Sequence, residues 1–117
     1  MNKTHKKKLR RYGKIKKAGD VYLLLKNGNK WECPALRVSY LPNGKKCSRI
    51  GIIISKEMGI AVIRNKIKRT VRELFRKKIA HLKPHFDVLI KLKSKNEQIV
   101  KKQLEENIEK WIEIIKR

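Results

Sequence analysis

Residues 48–93 read SRIGIIISKEMGIAVIRNKIKRTVRELFRKKIAHLKPHFDVLIKLK, and two changes of periodicity divide them into three elements. Ser48–Ser55 is rich in Ile and nearly continuous in apolar character, which predicts a central strand buried on both faces. From Ala61 to Leu82 the apolar residues recur at helical spacing. At about 100° per residue Ile63, Ile67, Val71, Leu74 and Phe75 fall within an arc of roughly 120°, the core side of a long helix; Pro84 ends it. Asp87–Lys93 returns to alternation, with Val88, Ile90 and Leu92 on one side of a further strand. Strand, helix and strand make a βαβ unit, so its two strands are expected to run parallel.

Upstream, Leu36, Val38 and Tyr40 alternate with Arg37 and Ser39 through Ala35–Leu41, a half-buried strand. Pro42-Asn43-Gly44 reads as a turn, and it predicts a hairpin between this strand and Ser48–Ser55. A short helix is expected near Lys17–Lys26, where Val21, Leu24 and Leu25 share helical spacing and Asn27-Gly28 supplies the stop. Residues 1–16 form a basic arm, expected to be mobile until a polyanion is bound. Downstream, Ser94 and Glu97 have capping-box spacing and open a final helix. Its buried stripe is Val100, Leu104, Ile108, Trp111, Ile112 and Ile115. The expectation is one α+β domain over residues 1–117, ordered α-β-β-α-β-α, with helices packed on a small mixed sheet as a two-layer sandwich.

Charge narrows the function. Lys and Arg number 33 against 10 Asp and Glu, a net +23. Residues 97–117 carry five of each sign, so all of the excess lies in residues 1–96. A surface tuned only for solubility mixes its signs throughout. This polarisation points to nucleic acid, met by most of the molecule but not by its last helix. The excess peaks in Arg64–Lys78, where eight basic residues accompany one acid, Glu73. Lys68, Arg69, Arg72 and Arg76 fall within about 100° on the helical wheel, beside the apolar face. They form a stripe more than about 10 Å long, able to follow a phosphate backbone, and Arg adds bidentate bonds to phosphate. Gly59 and the helix start make a corner where backbone amides point outward, near Lys56 and Arg64.

Several classes are disfavoured. No run of about 18 apolar residues exists to span a bilayer. The first 17 residues carry nine basic groups without a signal-type apolar core, so a cytoplasmic location is expected. Cys33 and Cys47 are then expected as thiols. Two-metal hydrolysis needs clustered carboxylates, whereas Asp20, Glu32, Glu57, Glu73 and Asp87 are scattered along the chain. Cys33, Cys47, His81 and His85 lack zinc-knuckle spacing. No catalytic or metal-ligating side chain is therefore assigned.

The run Arg49–Lys56, then Gly59–Arg69, then Arg72–Arg76 resembles the signature of bacterial ribonuclease P proteins over about 28 residues without a gap. The resemblance implies a left-handed βαβ crossover, a rare exception to the usual hand. It implies a protein monomer within a ribonucleoprotein, an endoribonuclease in which the RNA, with magnesium held mainly by that RNA, hydrolyses the phosphodiester. The partners implied are ribonuclease P RNA and the 5′ leader of precursor tRNA. By position, Arg64, Asn65, Lys66, Lys68, Arg69, Arg72 and Arg76 would contact RNA, with Lys56 beside a leader cleft between the first helix and the sheet. Val21, Leu25, Leu36, Val38 and Tyr40 are the candidates for lining that cleft, with Tyr40 on alternation alone equally a core residue. The chain departs from the pattern at Lys66, where the family has Arg, at Glu57 for Lys and at Ile60 for Asn. Val21, Leu25 and Ser39 stand where it often has aromatics. Stacking on aromatics is worth about 1–3 kcal/mol per base, so leader contacts are expected to be weaker or differently distributed. A structural RNA-binding protein of ribosomal type is the alternative that composition alone does not separate.

Overall fold

The computed structural model describes residues 12–93 and 97–116. The expected order of elements is present, with two short strands added: β1 (Gly13–Lys14), α1 (Ala18–Asn27), β2 (Asn29–Glu32), β3 (Leu36–Pro42), β4 (Arg49–Ile53), α2 (Ala61–Lys78), β5 (Phe86–Leu92) and α3 (Glu97–Ile115). The strands form one mixed sheet in the order β1-β4-β5-β3-β2. β4 runs parallel to β5, as the βαβ pattern predicts, and β1 runs parallel to β4. β3 is antiparallel to both β5 and β2.

The expected hairpin is not formed. β5 lies between β3 and β4, pairing Val38 with Ile90 on one side and Ile90 with Ile52 on the other. The turn chemistry is real: Gly44 takes φ 63°, and the Asn43 side chain donates to the Cys47 carbonyl at 3.1 Å. It reverses the chain but leaves the width of a strand between the two arms, because β5 is the most apolar strand and takes the centre.

Sheet parity divides the side chains. Leu36, Val38, Ile50, Val88, Ile90 and Leu92 face one side, where Ile67, Val71 and Phe75 of α2 and Val100, Leu104, Ile108, Trp111 and Ile112 of α3 cover them. Each of these side chains contributes about 1.5–3 kcal/mol on burial. Tyr40 belongs to the same face, edge-on to Trp111 at 5.3 Å and to Phe86 at 5.9 Å. α1 lies across the opposite face, where Leu24, Ser39 and Leu89 are buried. Gly28 ends α1 by donating its N–H to the Leu24 carbonyl at 2.9 Å. A Cβ at Gly28 would stand 2.5 Å from that oxygen, so the tight exit into β2 requires glycine.

Helix α2 stops at Lys78 rather than Leu82, and the Ile79 amide closes its last turn on the Phe75 carbonyl. The Ser94 capping box falls outside the described residues, as do residues 1–11 of the basic arm. The rest of the arm is anchored. Tyr12 packs edge-on against Phe75 at 5.4 Å, and Gly13 and Ile15 donate to the carbonyls of Ser48 and Ile50. Two residues of strand are too few for any periodicity to announce. β2 is missed for a similar reason, since Trp31 is its only apolar residue. Both cysteines are free.

Candidate nucleic-acid interface

A short bend positions the basic helix. After β4, Ser55 caps a 3-10 turn (Lys56–Met58) by accepting the Glu57 amide at 3.0 Å. Met58 is buried beneath it, and Gly59 then takes φ 150°, a conformation that other residues resist. From that corner the Gly59 carbonyl accepts Arg64 Nε at 3.1 Å. The first cation of α2 is thereby fixed against the bend that starts the helix.

The helix buries Ile67, Val71 and Phe75 and half-buries Ile63 and Leu74. This rotation leaves Asn65, Lys66 and Arg69 exposed and Arg64, Lys68, Arg72 and Arg76 partly exposed along one flank. Acids neutralise little of it. Arg76 pairs with Glu73 at 2.9 Å, and the hydrogen bond holds the Glu73 carboxyl below its ordinary range. Lys78 is drawn to α3, 2.7 Å from Glu109 and 3.4 Å from Glu105, and the Glu109 bond raises its pKa. Lys66, Lys68, Arg69 and Arg72 form no ion pair among the described residues.

Other acids are occupied elsewhere. Arg49 donates Nε and Nη2 to the two Asp87 oxygens at 2.8 and 2.5 Å, and Nη1 to Asp20 of α1 at 3.4 Å. The hydrogen bonds to Asp87 outweigh burial and raise the Arg49 pKa. Burial pushes the Asp87 carboxyl up, but Arg49 and the Asn43 amide, 2.9 Å away, more than reverse it and hold it low. Folding thus does gather two carboxylates, Asp20 and Asp87, but around a guanidinium. Glu32 sits between Lys93 and Arg37, whose hydrogen bonds lower its pKa. Among the described residues no three His, Cys, Asp or Glu side chains gather as a metal site, and no helix is long and apolar enough to cross a membrane.

The second candidate surface is the sheet face beside α1, and here the sequence assignment needs correction. Leu36 and Val38 are 0% exposed and Tyr40 packs on Trp111, all on the far side under α2 and α3. Alternation correctly separates the faces; the error is to give the apolar one to the cleft. The side next to α1 carries Arg37, Ser39 and Leu41 of β3, Leu89 and Lys91 of β5, and Gly51 and Ile53 of β4. Ser39 and Leu89 lie buried beneath Leu24, while the next row, Arg37–Lys91–Ile53, is left partly or fully open. Val21 and Leu25 do belong to α1, half-buried and 42% exposed. Lys56 is exposed on the 3-10 turn.

Known proteins share this fold. The family profile described as Ribonuclease P matches residues 9–116. A relative named ribonuclease P protein component from Caldanaerobacter subterraneus subsp. tengcongensis is 31% identical over 99 residues, 85% of each chain. One from Dictyoglomus turgidum is 36% identical over 80 residues, 68% of this chain and 67% of its own. The structure resembles the Staphylococcus aureus RNase P protein with a TM-score of 0.75 and 30% identity, over 88% of this chain and 94% of that one. It resembles the Thermotoga maritima protein at 0.65 and 30%, over 75% and 80%.

Proposed function

The chain belongs to the ribonuclease P protein family, and from that premise we propose that it is the protein subunit of a ribonuclease P ribonucleoprotein. It binds the catalytic RNA through α2 and the 5′ leader of precursor tRNA along the sheet face beside α1. The observation that carries this reading is the flank of α2, where Lys68, Arg69 and Arg72 stand without acidic partners among the described residues, with Lys66 exposed farther round the helix. Such a row repels itself unless a polyanion lies along it. Arg64, fixed on the Gly59 carbonyl, and Asn65 extend the row to the helix start, and Lys56 stands on the adjoining turn.

The protein supplies binding and the RNA supplies the chemistry. Asp20 and Asp87 are committed to Arg49, so the pair of carboxylates that folding gathers there is not free for hydrolysis. Magnesium belongs mainly to the RNA; cationic side chains that replace condensed counterions let substrate and RNA approach at lower magnesium. On the leader side Arg37 and Lys91 offer charge, and Val21 and Leu25 offer aliphatic contact in place of stacking rings.

Reconstitution tests the proposal: purified protein is added to a bacterial ribonuclease P RNA with labelled precursor tRNA at low magnesium. Stimulated release of the 5′ leader, with none from protein alone, is the expected result. Cleavage by protein alone overturns the division of labour. Tight RNA binding without stimulation, repeated with the cognate RNA, makes the chain a structural RNA-binding protein instead.

A further inference from the structure

The row of sheet side chains left open beside α1 ends in an acid. Glu32 of β2, Arg37 of β3, Lys91 of β5 and Ile53 of β4 stand opposite one another across the strands in that order. Lys93, one residue past β5, reaches the same acid. Oε2 of Glu32 accepts Lys93 Nζ at 2.5 Å and Arg37 Nη2 at 3.3 Å, so both cations share one carboxylate oxygen. Lys91, between Arg37 and Ile53, forms no ion pair among the described residues. This end of the sheet therefore carries three cations, two of them already answered by a single acid.

These pairs are not what holds β2 in place. The strand is zipped to β3 from Asn29–Tyr40 to Glu32–Arg37, and the Cys33 amide closes the turn on the Leu36 carbonyl at 2.9 Å. The side chains of Glu32, Arg37 and Lys93 are 44%, 37% and 30% exposed, and ion pairs this wet add little to stability. What the acid does is occupy donors. The Lys93 and Arg37 hydrogen bonds hold its carboxyl below the ordinary range, which keeps it charged at neutral pH. A phosphate takes the same donors, with Arg able to bind it through two bonds at once. Because water reaches all three groups, one anion can replace the other with no change of fold.

We propose that Glu32 is a built-in competitor for the phosphates of the precursor tRNA leader. It occupies Arg37 and Lys93 in the free protein and yields them when a leader phosphate reaches the β2 end of the row. The competition sorts single strands by how they arrive. A strand free in solution must displace the carboxylate at its bulk concentration. A leader tethered to a tRNA already held by the ribonucleoprotein arrives at a much higher effective concentration. The penalty is the same for both, but it empties the site of loose strands while the tethered leader still fills it. The leader as occupant rests on the proposed function; the contest between Glu32 and a phosphate for Arg37 does not.

The first arm of the test follows the Arg37 Nε–H signal of the whole chain by NMR, with a short oligouridylate as the probe. In wild type the signal shifts and saturates. In Glu32→Gln it saturates at a concentration about three- to tenfold lower, the equivalent of one or two exposed ion pairs. A signal that stays still in both, or an equal midpoint with the variant folded by circular dichroism, overturns the competition. A higher midpoint in the variant overturns it too, because Glu32 then supports the cations instead of contesting them. The second arm reconstitutes the holoenzyme with a bacterial ribonuclease P RNA and compares precursor with mature tRNA. Glu32→Gln is expected to tighten precursor binding by a similar factor and to leave mature tRNA, which has no leader, unchanged. Arg37→Gln and Lys93→Gln in the same chain remove the gain. A gain shared equally by mature tRNA, or one that survives the loss of both cations, overturns the leader as occupant. A wild-type holoenzyme with no preference for precursor removes the proposed leader site, while the oligouridylate comparison still decides the contest at Arg37.

Discussion

Arg49 grips Asp87 across neighbouring parallel strands through two hydrogen bonds, Nε to Oδ1 at 2.8 Å and Nη2 to Oδ2 at 2.5 Å. The same guanidinium reaches Asp20 on α1 at 3.4 Å. One side chain thereby joins the centre of the sheet to the helix that borders the open face. Arg49 and Asp87 are 20% and 15% exposed, so removal of one partner leaves the other charge largely dry. Arg49→Ala should cost about 2–4 kcal/mol, somewhat below the loss for a fully buried pair. Asp20→Asn, at longer range and 30% exposed, should cost under about 1 kcal/mol. Urea unfolding of the two variants measures the difference.

The same pair sets an acid dependence. Asp87 has its carboxyl held below the ordinary aspartate range in the folded state. Its contribution is present above the unfolded value of about 3.9 and lost as pH falls through the lower native one. Stability measured by urea titration should therefore decline below about pH 4, and Asp87→Asn should flatten that part of the profile. An equally steep decline in the variant would place the acid sensitivity elsewhere.

Gly59 holds φ 150°, and a Cβ there would lie 3.2 Å from Ile63 Cδ1. Gly59→Ala should lower stability by about 1–3 kcal/mol and shift the carbonyl that receives Arg64. RNA affinity should fall with it, although no charge has been removed. Normal affinity in the folded variant would show that Arg64 does not need that anchor.

Along α2, Arg69→Ala with Arg72→Ala should weaken RNA binding and reduce its salt slope by about two contacts' worth, roughly 1.4–1.8. Neither residue belongs to the buried set, so the fold should persist by circular dichroism. An unchanged slope would sink the assignment of this flank to RNA.

Trp111 is 0% exposed and meets Tyr40 edge-on, while its indole nitrogen has no acceptor among the described residues. Trp111→Ala should cost about 3–5 kcal/mol. Trp111→Phe should cost much less, because it removes an unpaired donor along with some area. Thermal unfolding of both variants checks the ratio.

The long elements were legible because each carries several turns of one period. Ile67, Val71 and Phe75 announce their face of α2, and Val100 to Ile112 announce that of α3, both as found. The basic flank follows from the same arithmetic, since fixing the apolar arc fixes the rotation of every cation. Sheet order is different in kind. The Pro42-Asn43-Gly44 turn speaks only of local direction, and nothing near it reports that Phe86–Leu92 will enter between its arms. Leu36 and Val38 were misplaced for a related reason: with Tyr40, which alternation left between cleft and core, they show that one face is apolar, but not which helix covers it.

The central place of β5 has a consequence for the chain as it emerges during synthesis. Until Leu92 has been made, β3 and β4 each lack the neighbour that joins them, and α2, already complete at Lys78, has no finished surface to lie against. Pairings such as Leu36 with Leu92 close a long stretch of chain and are slow to form. The nascent polypeptide is therefore an unscaffolded polycation for most of its length. It becomes a shaped partner for RNA only when its last strand slides into the middle of the sheet.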